Sequence, residues 1–438
     1  MSGLWLREDE ALAHIAGICF KTGPPRRTGV ELEWLVRDHR DPLAPVPVER
    51  LRAALALLGP TGVLPNGGRI TLEPGGQVEL SSRPADSPVR CLRETAADLA
   101  DLRAALASVG LLLEGCGLEP YRDPERVLDL PRYRAMERYF DSAGHWGRMM
   151  MRATTSVQVN VDAGEEADAS TVAAAAANGH GTTGYRFRWA LVHRLGPVLV
   201  AAFANSPLWR GCPTGWRSTR QAVWAHMDPG RTRPPEADHD PRAAWARYAL
   251  DARLLCLRRP EPAPWTAPPD TPLRSWLRGS APEPQPPSLD DAEYHLTTLF
   301  PPVRPRGWLE LRMIDAQGGD DWMVPLLLVT ALLDDPVAAR AAYRATEPLT
   351  GGAELPPWSV WLDAARHGPA DPALGAAARA CFSAGSAALA RSGVPESLRR
   401  TVSDFAQRYP QRGRCPADDQ LDALRFERGV QLPEGASR

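Results

Sequence analysis

Thr71-Leu72-Glu73-Pro74-Gly75-Gly76-Gln77-Val78-Glu79-Leu80-Ser81 holds two short runs of alternating apolar and polar residues around a Pro-Gly-Gly turn. Alternation with period two marks strands, and Pro74-Gly75-Gly76 is a three-residue connection able to close a hairpin. Closing it sets Glu73 opposite Gln77 and Thr71 opposite Glu79, so both carboxylates share one face. Three other stretches have the same grammar: Val30-Glu31-Leu32-Glu33-Trp34, Ser156-Val157-Gln158-Val159-Asn160-Val161-Asp162 and Trp308-Leu309-Glu310-Leu311-Arg312-Met313. Each has an apolar face and an acidic or amide face. Five carboxylates on the polar faces of paired strands (Glu31, Glu33, Glu73, Glu79 and Glu310) repel one another unless cations neutralise them. Hard oxygen donors of this kind suit magnesium, usually shared with a nucleotide's phosphates.

Outward from these strands, near 28–36, 69–82, 153–162 and 307–315, helical periodicity predominates. It predicts helices over 48–58, 88–112, 131–140, 185–205, 242–257 and 321–333, with an alanine- and leucine-rich helical region over 336–408. Strands and helices without βαβ regularity indicate an α+β fold. Helices pack on one face of an antiparallel sheet and the other face is left polar and functional. Proline-rich stretches fall at 228–241 and 258–290. The second has the composition of a linker, but an acid-faced strand follows it, so it reads as a long loop within one domain. The expectation is a single domain over 1–410, with 258–290 inside it as a loop that provides a lid, and a loosely held tail over 411–438 in which 418–428 can form one helix.

Composition narrows the function classes. A net charge of −2 gives no reason to expect nucleic acid or an anionic membrane as partner. Seven dispersed cysteines without C-x-x-C spacing argue against a disulfide framework and a thiolate zinc site. Acidic residues stand at 8–10, where a signal peptide would place its apolar core. The apolar stretch 187–204 is interrupted by Arg188, His193 and Arg194. The expected location is therefore cytoplasmic. Lys21 is the only lysine among 51 lysines and arginines, so no Walker loop can be completed. Phosphate chemistry must rest on arginine, backbone amides and metal ions, and arginine's forked donors suit carboxylates and phosphates alike.

Single motifs have ordinary readings as well. Glu31 and Glu33 alone describe a solvated acidic face, and Glu310 with Arg312 describes a surface ion pair worth little. In the functional reading Glu310 takes a metal, Arg312 a phosphoryl group, and Gln158 and Asn160 offer amides to the same pocket. Arg217 and Arg220, three apart on a helix, are a solvated face or an anion-binding pair. His14, His145, His180, His193 and His226 lack metal-ligand spacing and read as structural or surface residues. The repetition of one alternation in four places favours function.

The ordered set resembles the plant-type glutamate–cysteine ligases, and within them the actinobacterial members of the ergothioneine pathway. It comprises Gly29-Val30-Glu31-Leu32-Glu33-Trp34, the 71–81 hairpin, Met149-Met150 with Ser156-Val157-Gln158-Val159-Asn160, Phe203-Ala204-Asn205-Ser206-Pro207, His295-Leu296-Thr297-Thr298-Leu299-Phe300-Pro301-Pro302-Val303-Arg304, and Leu309 through Gln317. The resemblance implies a glutamine-synthetase-like fold with a curved antiparallel sheet as active-site floor. It implies ATP-dependent ligation of L-glutamate to L-cysteine through a γ-glutamyl phosphate, with Mg2+ and ATP. Glu31, Glu33, Glu73, Glu79 and Glu310 become metal ligands, and Gln158 and Asn160 line the floor. Arg220 holds the substrate glutamate and Arg312 stabilises the transferring phosphoryl group. Two departures stand out: Ser82 where glycine commonly follows the hairpin serine, and Arg152, which could reach the amino-acid pocket. The same residues also allow a ligase with another amine acceptor, a silent nucleotide-binding homologue, or a metal-dependent phosphohydrolase.

Overall fold

A computed structural model describes residues 6–23, 27–166, 172–178, 181–283 and 285–427. Nine strands alternate with helices: β1 Thr28–Asp38, β2 Arg69–Leu72, β3 Val78–Ser81, β4 Leu111–Glu114, β5 Ser156–Asp162, β6 Leu208–Trp209, β7 Cys212–Pro213, β8 Val303–Pro305 and β9 Trp308–Asp315. Seven of them form one sheet in the order β2-β3-β1-β5-β9-β8, with β4 joined to the far half of β1, and every ladder is antiparallel. β6 and β7 make a small separate hairpin. The fold is α+β, as the alternating stretches predict.

The two sides of the sheet differ as the period-two pattern requires. Val30, Leu32, Val157, Val159, Val161, Leu309, Leu311 and Met313 are all buried in the core. The helices Pro88–Ser108, Tyr185–Ala202 and Met323–Asp334 cover that side, touching β1, β9 and β5 respectively. Pro88–Ser108 starts where its sequence says it should: Ser87 accepts a hydrogen bond from Arg90 N, and proline occupies the first turn. The helix Pro372–Arg391 is long and apolar enough to cross a membrane, yet it packs against the helices Pro336–Ala345, Met323–Asp334 and Tyr185–Ala202.

Register places the acids. Glu33 pairs with Glu79 and Glu31 with Ser81, Thr71 pairs with Glu79, Glu31 with Gln158, and Asn160 with Glu310. The turn predicted at Pro74-Gly75-Gly76 forms, with Glu73 N donating to Gln77 O at 2.9 Å. Gly76 takes the left-handed conformation at φ +88°, which glycine adopts without steric cost.

Three expectations are corrected. Leu111 and Leu112, assigned to the end of a helix, open β4, because Gly110 at φ +73° ends the helix and turns the chain back along β1. The tail is not loosely held: over its described part its helix, Pro416–Glu427, is docked on the domain. Ala417 N donates to Ala204 O at 2.9 Å and Arg217 pairs with Asp418 at 2.7 Å. The 258–290 segment carries a short helix, Leu273–Leu277, and its described residues give no side chain to the cavity described below. Arg274 ties it to Asp251 and Glu8, and Trp265 stacks edge-on against Tyr294.

A β-carbon on Gly75 would lie 2.0 Å from Arg152 O, whereas one on Gly17, inside the helix Glu8–Cys19, meets nothing within 4 Å. Thermal or urea unfolding should therefore show Gly75→Ala destabilising by roughly 1–3 kcal/mol and Gly17→Ala stabilising by about 0.5–1 kcal/mol. Equal effects at both sites would contradict the close backbone approach at the hairpin tip.

Candidate active site

The polar side of the sheet is the floor of a cavity of about 300 Å³. Glu31 and Glu33 from β1, Glu79 from β3, Glu73 from the hairpin, and Ser156 and Gln158 from β5 line it. Arg220 enters from the helix Thr219–Ala225, and Arg304, Arg306 and Arg312 from the β8–β9 hairpin. An apolar wall closes one side: Pro74, Tyr133, Met136, Met150, Trp224 and Phe300. Seven of the nine residues expected at the site are thus brought into one cavity wall or its floor: Glu31, Glu33, Glu73, Glu79, Gln158, Arg220 and Arg312.

The other two stand differently. Glu310 is fully buried beneath the wall, with Arg304 on one oxygen at 2.8 Å, Arg312 hydrogen-bonded to it, and Arg306 at 3.6 Å. Asn160 lies outside the wall, donating to Glu31 Oε1 at 3.1 Å and accepting from Trp308 Nε1 at 2.9 Å. It therefore orients a carboxylate; contact with a substrate in this cavity, the role expected for it, is not where its amide points. Arg152 also falls outside, bound to Glu137, and Ser82 turns to its neighbour strand by accepting from Val30 N at 2.9 Å.

A chain of hydrogen bonds crosses the floor. Ser156 Oγ and Gln158 Nε2 each donate to Glu33 at 3.0 Å. Arg312 donates to Gln158 Oε1 at 2.5 Å and to Glu310. At the closed end, Arg220 is 3% exposed and donates to Arg312 O at 2.8 Å. Its Nε and Nη1 have no hydrogen-bond partner among the described residues, Nη1 lying 3.8 Å from Asp315. Buried donors left unpaired carry a full desolvation cost, so this guanidinium is poised for an anion. Asp315 in turn accepts from Asn205 N, Ser206 Oγ and Ser218 Oγ at 2.7–2.9 Å. The Asn205-Ser206 motif is therefore a buried anchor for the arginine's surroundings.

Charge divides the floor into two regimes. Burial, then the charges of Glu310 and Glu79, push Glu31 up to about 7. Burial, then Glu33 and Glu79, push Glu73 up to about 8. Glu33 and Glu79 are raised as well, mainly by burial. Burial alone would also raise Glu310, but Arg304, Arg312 and Arg306 overcome it and hold it down to about 2. The first four carboxylates suit a cation chemically, being hard oxygen donors short of positive charge. Among the described residues no three acidic, histidine or cysteine side chains converge on one point. The set therefore fits an ion shared with phosphate oxygens better than one caged by protein alone.

Sequence reasoning passed over Arg132, Tyr133, Trp224, Thr297, Phe300, Arg304 and Arg306. Arg132 clasps Thr297 through its hydroxyl and carbonyl at 2.8 Å each, joining two walls of the cavity. Thr297, Phe300 and Arg304 lie inside the 295–304 motif, which signalled their importance without their orientation. Trp224 stands four residues after Arg220 on one helix face, a spacing that could have found it.

A family model, glutamate–cysteine ligase family 2 (GCS2), matches residues 27–436. The chain is 39% identical over 428 residues to glutamate–cysteine ligase EgtA of Mycolicibacterium smegmatis, covering 96% of this chain and 92% of that protein. It is 33% identical over 278 residues to the chloroplastic glutamate–cysteine ligase of Arabidopsis thaliana, covering 61% and 49%. Among solved structures, glutamate–cysteine ligase from Francisella tularensis in complex with AMP has the same fold, with a TM-score of 0.53 at 14% identity over 92% of this chain and 85% of that one. A carboxylate-floored α+β ligase is the class that this fold and site define. The chain belongs to glutamate–cysteine ligase family 2.

The raised carboxylates make stability depend on pH. Between pH 6.5 and 8.5 the unfolded chain's carboxyl groups are all ionised, while Glu73 and Glu31 still hold protons in the fold. Raising pH through 7 and 8 therefore favours unfolding. Metal-free protein should lose on the order of 2–3 kcal/mol across that window, measured by denaturant unfolding at several pH values. Glu73→Gln should flatten the slope; an unchanged slope would contradict the charge crowding.

Proposed function

We propose that this chain joins the γ-carboxylate of L-glutamate to the amine of L-cysteine, giving γ-glutamylcysteine, ADP and phosphate in the cytoplasm for ergothioneine biosynthesis. Family membership and the identity to EgtA across nearly the whole chain support the reaction. The observation that carries it in this molecule is the meeting of four charge-crowded carboxylates with two buried arginines in one cavity.

Arg220 takes the carboxylate of the substrate glutamate, since its guanidinium lines the closed end of the cavity and its Nε and Nη1 have no hydrogen-bond partner among the described residues. The γ-carboxylate then lies over the floor near Gln158 and Glu33. It attacks the terminal phosphorus of ATP, forming γ-glutamyl phosphate and releasing ADP. Arg312, held in place by Gln158 and Glu310, presents its guanidinium to the charge that spreads over the transferring phosphoryl oxygens. Glu31, Glu33, Glu73 and Glu79 would between them hold Mg2+ shared with phosphate oxygens, whose charge it would neutralise when bound. Glu310 could join that set only by releasing its guanidiniums. The acceptor amine attacks the acyl carbon and expels phosphate, while its side chain rests on the wall of Tyr133, Met136, Met150, Trp224 and Phe300. That wall also keeps water from the acyl phosphate.

Purified protein with ATP, Mg2+ and glutamate should release ADP in a cysteine-dependent manner and yield γ-glutamylcysteine by mass. ADP without dipeptide would mean another acceptor or a hydrolase, and nucleotide binding without turnover would mean a silent homologue. Arg220→Lys should raise the KM for glutamate by about tenfold or more, because a point charge replaces a bidentate fork. The KM for ATP should move far less, and a reversed pattern would relocate the amino acid.

A further inference from the structure

Trp308 places an aromatic ring in the row of β9 that also carries Glu310 and Arg312. Side chains at 308, 310 and 312 of β9 point to the same side, so the indole shares the face that carries Glu310 and Arg312. It is 40% exposed, yet its position is fixed. Nε1 donates to Asn160 Oδ1 at 2.9 Å, and Asn160 Nδ2 donates to Glu31 Oε1 at 3.1 Å. An exposed aromatic ring is thus tethered through one amide to a carboxylate of the active-site cavity.

From this arrangement we infer that Trp308, with Arg306 beside it, is the seat of the nucleotide's base, the purine stacking on the indole and Arg306 meeting the phosphates nearest the ribose. The inference rests on the ligase reading and adds to it the direction in which the nucleotide lies. If phosphoryl transfer occurs at Arg312, the rest of the nucleotide must extend along the floor one way or the other. The end beyond Arg312 is closed by Arg220 and Asp315, both buried, and by the apolar wall. The other end opens at Trp308. The two residues are four apart on one strand, about 13 Å at the usual rise, a span comparable to an extended nucleoside triphosphate. Arg306 stands between them: its side chain is 46% exposed, it lines the cavity, Nη1 is 3.6 Å from Glu310, and its guanidinium lies 5.6 Å from the Trp308 ring. Gly29, opposite Asn160 on β1, puts no side chain in the way.

A second cavity, behind the hairpin tip and lined by Leu35, Val46, Val127 and Arg122, is walled off from the floor. Gln77 bridges Gly75 N at 2.9 Å and Thr154 O at 3.0 Å between the two, so a nucleotide reaching Arg312 cannot extend there.

The test is calorimetric titration of the wild type, Trp308→Ala, Trp308→Phe and Arg306→Ala with ADP and with inorganic tripolyphosphate, in Mg2+. Trp308→Ala should weaken ADP roughly five- to 150-fold, the usual range for loss of a stacked base, with tripolyphosphate affinity within about twofold. Trp308→Phe should retain most of the ADP affinity. Arg306→Ala should weaken both ligands. ADP affinity unchanged in Trp308→Ala overturns the base seat and leaves the ligase reading intact. Equal loss of ADP and tripolyphosphate in that variant also overturns it, since the residue would then act on phosphate. A wild type that neither binds ADP nor turns over ATP would sink the ligase reading itself.

Discussion

The register of β1 between β3 and β5 is the constraint on which the site depends. Side chains alternate, so a slip of one residue would send Glu31 and Glu33 into the helical layer and Val30, Leu32 and Trp34 to the floor. The apolar side prevents that slip: Leu32 and Val30 are buried beneath the helical layer and would be lost from the core. Packing energy on one side thus fixes charge geometry on the other, and the acids can be crowded to a degree that their own repulsion would not permit. The hairpin has less help from burial, since β2 is a half-exposed edge strand. It relies on the three-residue turn, the close fit of Gly75 against Arg152 O, and the clasp of Gln77 on Thr154.

Two charge regimes follow from where the arginines enter. Four of the cavity's five arginines, Arg220, Arg304, Arg306 and Arg312, come from the side of β5 away from the hairpin, so Glu73 and Glu79 are left short of positive charge and Glu310 receives most. Gln158 stands at the boundary, accepting from Arg312 and donating to Glu33. An amide can do both at once, whereas a carboxylate there could only accept. This explains why an amide rather than an acid occupies the middle of the floor.

Much of this was legible in the sequence because it is local. Period-two alternation gave the four strands, the Pro-Gly-Gly turn gave the facing of Glu73 and Glu79, and all six expected helices form, although the one expected over 242–257 ends at Asp251. What was not legible depends on contacts distant in the chain. Arg132 meets Thr297 across 165 residues, and no local pattern aims either of them at the cavity. Leu111–Glu114 continues a leucine-rich run and differs from helix only through Gly110. The docking of Pro416–Glu427 needs Ala204 and Arg217 as partners, so composition alone made it a tail. Glu310 is the most instructive case: its strand face was read correctly, but Arg304, six residues earlier across a tight hairpin, changes a vacant carboxylate into a paired one.

That pairing bears on how the site responds to its substrate. A buried carboxylate left without its guanidinium is strongly unfavourable, so Glu310 will not surrender Arg312 unless Arg304 and Arg306 remain or other positive charge replaces it. Arg312 is largely buried as well, its side chain 14% exposed, and is already paired with an anion through Glu310. An incoming phosphoryl group offers such an anion on the cavity side, opposite Glu310. The guanidinium has donors enough to serve both, and Gln158 holds it in the plane between them. Arg312 is thus kept charged and oriented before the nucleotide arrives, and little reorganisation is left for the moment of phosphoryl transfer. On this view Glu310 contributes to catalysis through the arginine it holds.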